Sequence, residues 1–133
     1  VVLDGCDSFA TRLVVADAAQ ALRMPLVSAA VGPFEGQLAT YRGWEKDKPC
    51  YRCLVGSPVD APERNCSETG VIGALTGAIG SLAALEVIRA LVPFGTDMAG
   101  QLLIADLLAM RFRTLAVPKD PACPGCAAEL CAP

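Results

Sequence analysis

An α/β domain is the fold class this sequence predicts, and three observations predict it. Two short apolar runs flank a helical stretch near the start, a long alanine-rich helical stretch lies mid-chain, and two strand-like runs follow it. With 53% apolar residues among 133, the chain can bury a core, and residues 1–133 read as one unit.

Val1 to Asp4 (VVLD) is an apolar run that ends in an acid. From Thr11 to Arg23, apolar Val14, Ala18, Ala21 and Leu22 recur at helical spacing, with Arg12, Asp17, Gln20 and Arg23 as the polar side. Asp7 or Ser8 stands where an N-cap belongs. Pro25 ends the helix, and LVSAAV (Leu26 to Val31) reads as the next strand, giving a βαβ unit and a parallel sheet as the first expectation. GQLATY (Gly36 to Tyr41) continues as a strand. Arg42 to Asn65 carries prolines and no sustained period, so it reads as a long loop with a job or a tether.

Val71 to Leu91 is the longest helix expected, with Gly73, Gly77 and Gly80 permitting close approach of a neighbour. Its charge-free part, Val71 to Leu85, falls short of the ~20 residues that span a bilayer, so a core or dimer-interface helix is expected and no membrane partner. Gln101 to Asp106 and Met110 to Val117 read as two strands. The second alternates Arg111 and Arg113 against Met110, Phe112 and Thr114, which suits a sheet with one wetter face.

A net charge of −3 and no run of lysine or arginine argue against a nucleic-acid partner. The absence of histidine removes Ser-His and Cys-His nucleophiles and every imidazole metal ligand. The opening VVLDG has no initiating Met, basic region or cleavage signal, so the chain is expected to be the C-terminal portion of something longer rather than to start with a secretory leader.

Of seven cysteines, four form two matched pairs: Cys50 and Cys53 in KPCYRCLVG, and Cys123 and Cys126 in DPACPGC, with 69 residues between the pairs. Four thiols and no histidine match a closed tetrahedral zinc site, in which Tyr51 and Arg52 are spacers and no position is left open for catalysis. A disulfide framework and a redox dithiol are the alternatives. An odd cysteine count and the matched second pair favour the metal. Cys6 follows an apolar run and reads as a small buried hydrophobe, Cys131 lies near the end, and Cys66 precedes the long helix, where a helix N-terminus lowers a thiol pKa. Asp4 and Asp7 fall where the first strand gives way to a helix. That is the ligand side of an open α/β sheet, where a carboxylate can hold Mg²⁺ on a nucleotide or simply cap the helix.

Taken in order, VVLDGCDSFATR, PLVSAAVGPFEGQLATY, PCYRCL, CSETGV, GAIGSLAALEVIRAL and DPACPGC resemble the C-terminal half of the MoeB/ThiF adenylyltransferases, bacterial relatives of the ubiquitin-activating enzymes. The likeness covers nearly the whole chain. It implies the C-terminal part of a Rossmann-like fold with a mixed sheet and a zinc-tethered loop. It also implies an enzyme that uses ATP and Mg²⁺ to adenylylate the C-terminal glycine of a ubiquitin-like sulfur carrier, with the molybdopterin synthase small subunit favoured over the thiamine-pathway carrier. By that resemblance Asp7 matches the Mg²⁺-associated aspartate, Ser8 stands where the family usually has asparagine near the nucleotide, and Cys50, Cys53, Cys123 and Cys126 match the structural zinc ligands. Cys66 matches a cysteine that in some members forms a covalent link to the carrier or its sulfur donor. A cytoplasmic location and a homodimer of the full-length form are further implications.

The family's Gly-rich nucleotide loop and its phosphate-neutralising arginines and lysine belong to an N-terminal half that is not in this sequence. This polypeptide alone is therefore expected not to adenylylate. A non-catalytic, zinc-stapled binding module is the competing expectation.

Overall fold

The computed structural model describes residues 1–56 and 70–127. Five strands form one sheet in the order β1 (Val2–Asp4), β2 (Leu26–Val31), β3 (Glu35–Tyr41), β4 (Gln101–Asp106) and β5 (Arg111–Ala116). Helix α1 (Phe9–Ala21) crosses from β1 to β2, and the connection from β3 to β4 carries α2 (Tyr51–Val55) and α3 (Gly73–Leu91).

Among the described strands, β1 and β2 pair in parallel, and β2–β3, β3–β4 and β4–β5 are antiparallel. The parallel expectation is corrected to the mixed sheet that the family resemblance implied. The reason is local: Gly32, Pro33 and Phe34 close a tight turn, with the Gly32 N–H donating to the Glu35 carbonyl at 2.7 Å, and this folds β3 straight back on β2.

The strands' two-residue alternation sorts the core into two layers. Leu26, Ala39, Tyr41 and Leu102 face α1 and α2, where they meet Leu13, Ala16, Ala19 and Tyr51. Val27, Leu38 and Ala105 face α3 and meet Ala83, Leu75 and Ile79. The closest approach on that side needs a glycine on the strand: a Cβ at position 36 would stand 2.5 Å from Ile79 Cγ1.

Three expectations change here. The buried face of α1 is Leu13, Ala16 and Ala19, whereas Val14, Ala18, Ala21 and Leu22 are exposed. Gly73, Gly77 and Gly80 lie on the open side of α3, with nothing described within 4 Å of a Cβ there. All six residues of β5 are exposed, so both of its faces are open. Helix α3 has the length and composition of a membrane span, with mean hydropathy 1.5, yet its Leu75, Ile79, Ala83 and Glu86 stripe packs on the sheet. Glu86 is buried in that stripe, paired with Arg89 and Thr40.

Candidate metal centre and strand-end cleft

The stretch from Arg42 to Cys50 is held at both ends before it presents its thiols. Arg42 and Lys48 pair with Asp97, and Lys119 Nζ donates to the carbonyls of Gly43 (2.7 Å) and Glu45 (2.8 Å). Cys50 is the N-cap of α2, and the one-turn helix then brings Cys53 to the same side. Cys123 and Cys126 come from a turn in which the Cys126 and Ala127 N–H groups donate to the Cys123 carbonyl.

All four Sγ atoms lie within 4.8 Å of one another, with Cys50–Cys123 and Cys53–Cys126 at 3.5 Å and Cys50–Cys53 at 3.9 Å. A disulfide needs about 2.05 Å, so these are free thiols. A tetrahedron with bonds of ~2.3 Å has edges of ~3.8 Å, so the donor set fits one ion of zinc's size and thiol preference. Gly125 is needed where the two pairs meet: a Cβ there would lie 2.8 Å from Arg52 Cδ and 3.2 Å from Cys50 Sγ. Burial pushes the Cys50 thiol well up and Cys126 up to about 12. For Cys53, burial also opposes ionisation, but hydrogen bonds from the backbone at Asp120 and Cys50 and from the neighbouring thiols outweigh it and bring the thiol down. Four thiols so packed ionise together only around a cation.

Tyr51 and Arg52 are more than spacers, which corrects the sequence expectation. Arg52 donates two hydrogen bonds of 2.7 Å to the Asp17 carboxylate on α1. Tyr51 enters the core edge-on to Tyr41, their rings 5.6 Å apart.

The second feature is a cleft of about 280 Å³ at the carboxyl ends of β1 and β2, walled on the far side by α3. Asp7 stands exposed at its mouth; Cys6 and Arg12 line it, and Ala29, Ala30 and Gly80 give the rest of it small, apolar walls. The capping question is settled for Ser8, whose Oγ accepts from the Thr11 N–H at 3.4 Å, leaving the Asp7 carboxylate to face solvent.

Cys6 is half-buried at the cleft rather than a core residue, and its thiol is raised by a hydrogen bond to Asp4 and by burial. Asp4 is itself buried. Its Oδ1 accepts from the Cys6 N–H at 3.0 Å, and its Oδ2 takes the Arg12 guanidinium at 3.2 Å. Arg12 also donates to Ser28 Oγ (3.2 Å) and to the Ala29 carbonyl (2.7 Å). Sequence reasoning placed Arg12 only on a polar helix face and passed over Ser28. The available signal was Asp4 itself, an acid closing an apolar strand and therefore in need of a cation. Cys66 and Cys131 lie outside the described residues.

A sulfur carrier protein adenylyltransferase of Thermus thermophilus is 41% identical over 133 residues, covering 97% of this chain and 49% of the relative. Proteins named adenylyltransferase and sulfurtransferase MOCS3 from Caenorhabditis briggsae (41%, covering 97% of this chain and 32% of the relative) and Anopheles gambiae (44%, 95% and 29%) are also similar. The chain spans about half or less of the length of these curated relatives. Among solved structures, E. coli MccB with MccA-N7isoASN superposes with a TM-score of 0.74 at 12% identity, over 94% of this chain and 39% of that one, a likeness of fold. The model described as ThiF family matches residues 1–125, and the chain belongs to that family.

Proposed function

We propose that this chain is the portion of an adenylyltransferase that holds the Mg²⁺ side of ATP and the C-terminal tail of a ubiquitin-like sulfur carrier. The observation that carries the reading is the cleft floored by Ala29, Ala30 and Gly80, with an exposed Asp7 carboxylate at its mouth that has no partner among the described residues. The names of the relatives support the same class of reaction.

In that reaction an oxygen of the carrier's terminal glycine carboxylate attacks the α-phosphorus of ATP. A C–O–P linkage forms, the bond to the β-phosphate oxygen breaks, and pyrophosphate leaves. Ala29, Ala30 and Gly80 leave space for an extended, side-chain-free glycine tail. Asp7 would hold a Mg²⁺ ion that shares phosphate oxygens and neutralises their charge, as a lone carboxylate plus phosphates suffices for that ion. Ser8 fixes the first turn of α1 beside it. The four cysteines would hold zinc as a closed structural ion that ties α2 to the chain's end.

Cys66 we assign to covalent capture of the carrier or its sulfur donor, on family resemblance. The carrier we propose is the molybdopterin synthase small subunit, supported by the likeness of MRFRTLAV and CPGC to that branch. A homodimer of the full-length protein accords with exposed Leu85, Ile88 and Leu91 on the outer side of α3, and a cytoplasmic location accords with the free thiols.

The test is ATP–pyrophosphate exchange by the full-length protein. Exchange that depends on the carrier's terminal glycine supports the reading, with the molybdopterin carrier preferred to the thiamine one. No exchange with any carrier, Asp7 being intact, would overturn it in favour of a non-catalytic zinc module.

A further inference from the structure

The two features of the site are joined through one helix. At the metal end, α2 is fastened to α1 by the paired hydrogen bonds from Arg52 to Asp17, and Tyr51 packs in the same core group as Leu13 and Ala16. At the cleft end, α1 presents Arg12, whose side chain is 11% exposed, to the Asp4 carboxylate, which is 2% exposed. Asp4 in turn holds the Cys6 N–H, one residue before Asp7. The Tyr51 hydroxyl also lies against the Arg12 guanidinium.

Arg12 is not offered to a substrate phosphate. It is engaged with three acceptors from β1 and β2, namely Asp4, Ser28 and the Ala29 carbonyl. A buried ion pair adds little net stability over apolar packing, but it fixes geometry. Here the geometry it fixes is the turn Gly5–Cys6–Asp7.

We propose that Arg12 is a positioning residue, carrying the rigidity of the four-cysteine centre along α1 to the loop that presents Asp7. The metal site thereby sets how well the cleft is formed, although it lies away from the chemistry. This rests on the proposed function for what Asp7 does, but not for the mechanical link itself.

The test uses the full-length protein and two readouts. The first is hydrogen exchange of the Cys6 amide, followed by NMR. Arg12→Gln should speed it by about tenfold or more, the effect of losing a hydrogen bond to a charged group. Arg12→Lys, which keeps the charge beside Asp4, should restore part of the protection. Arg52→Gln, with metal retained, should also speed exchange at Cys6, as should chelation of the metal from the wild type. Chelation should add little once Arg12 is replaced, because the two perturbations act on one path.

The second readout is the Mg²⁺ concentration giving half-maximal pyrophosphate exchange. It should rise several-fold in Arg12→Gln and return towards the wild-type value in Arg12→Lys. A Cys6 amide that stays protected after chelation and in Arg52→Gln would overturn the proposal. So would an unchanged Mg²⁺ requirement in an active Arg12→Gln protein. A wild type that shows the chelation effect at Cys6 but no pyrophosphate exchange would sink the proposed function and leave the mechanical link supported.

Discussion

Gly43 stands where the loop entering the metal centre passes α1, and replacing it with alanine is expected to damage the centre without touching a ligand. A Cβ at position 43 would collide first with the Cys50 Cβ, and would lie 2.7 Å from Gln20 Oε1 and 2.9 Å from the Cys50 backbone nitrogen. The glutamine end can swing away. The Cys50 backbone cannot, because it caps α2 and carries a ligand thiol. The Cys50 Cβ contact is roughly an ångström short of the ~3.5 Å at which such atoms rest, so Cys50 has to shift by about that much. Overpacking of this kind costs about 1–3 kcal/mol. Displacing a ligand's support typically weakens metal binding about 10- to 100-fold, which is ~1.4–2.8 kcal/mol and the same order. Competition against a chromophoric chelator reads the affinity, and denaturant unfolding reads the stability. Gly77→Ala is the control, since nothing described lies within 4 Å of a Cβ there and alanine is the better helix former, so it should stabilise by about 1 kcal/mol. A Gly43→Ala protein with wild-type metal affinity and wild-type stability would mean that Cys50 yields to the added methyl without cost.

Three further outcomes are expected. Ile79→Ala, at a site 2% exposed between Gly36 and Ala105, should cost about 2–5 kcal/mol in denaturant unfolding with little change in slope. Asp97 is held at about 2 against an ordinary 3.8, burial being outweighed by the Ala99 N–H, Lys48 and Arg42. Its folded value lies below its unfolded one, so its contribution to stability is full above about 3.8 and fades as pH falls towards 2. Carboxyl NMR should show the low titration, and Asp97→Asn should flatten that part of the acid-unfolding curve. Asp7→Asn should cut carrier-dependent pyrophosphate exchange by about a hundredfold or more while leaving bound metal unchanged by elemental analysis.

The parts of this molecule that could be read from sequence are those with short-range signatures. C-x-x-C is set within one turn of backbone, so both thiol pairs were visible, and the strands followed from their apolar runs, with Pro25 marking the end of the helix before β2. The rest depends on what lies opposite. In α1 two stripes are apolar, and periodicity cannot say whether Leu13, Ala16 and Ala19 or Val14, Ala18, Ala21 and Leu22 will meet the sheet; the sheet chose the first. The glycines of α3 look built for close packing, yet the close approach is made at Gly36, because it is Ile79 that needs the space. Arg12, Arg52 and Tyr51 look like solvated or spacer residues until α1 and α2 are side by side. Then Arg12 neutralises a buried aspartate 8 positions earlier in the chain, and Arg52 reaches an aspartate 35 positions earlier. Long-range charge pairing leaves little trace in local spacing, which is why the Asp7 loop was legible and its support was not.

We propose that this chain forms the carrier-tail side of an adenylylation site. It is tested most directly by incubating the full-length protein with ATP labelled at the α-phosphate and a glycine-ended sulfur carrier, then measuring label on the carrier. The expected result is acid-stable, base-labile AMP on the terminal glycine, lost when that glycine is deleted and sharply reduced by Asp7→Asn. Label that fails to reach the carrier, or that reaches it equally well in the Asp7→Asn protein, would rule this assignment out.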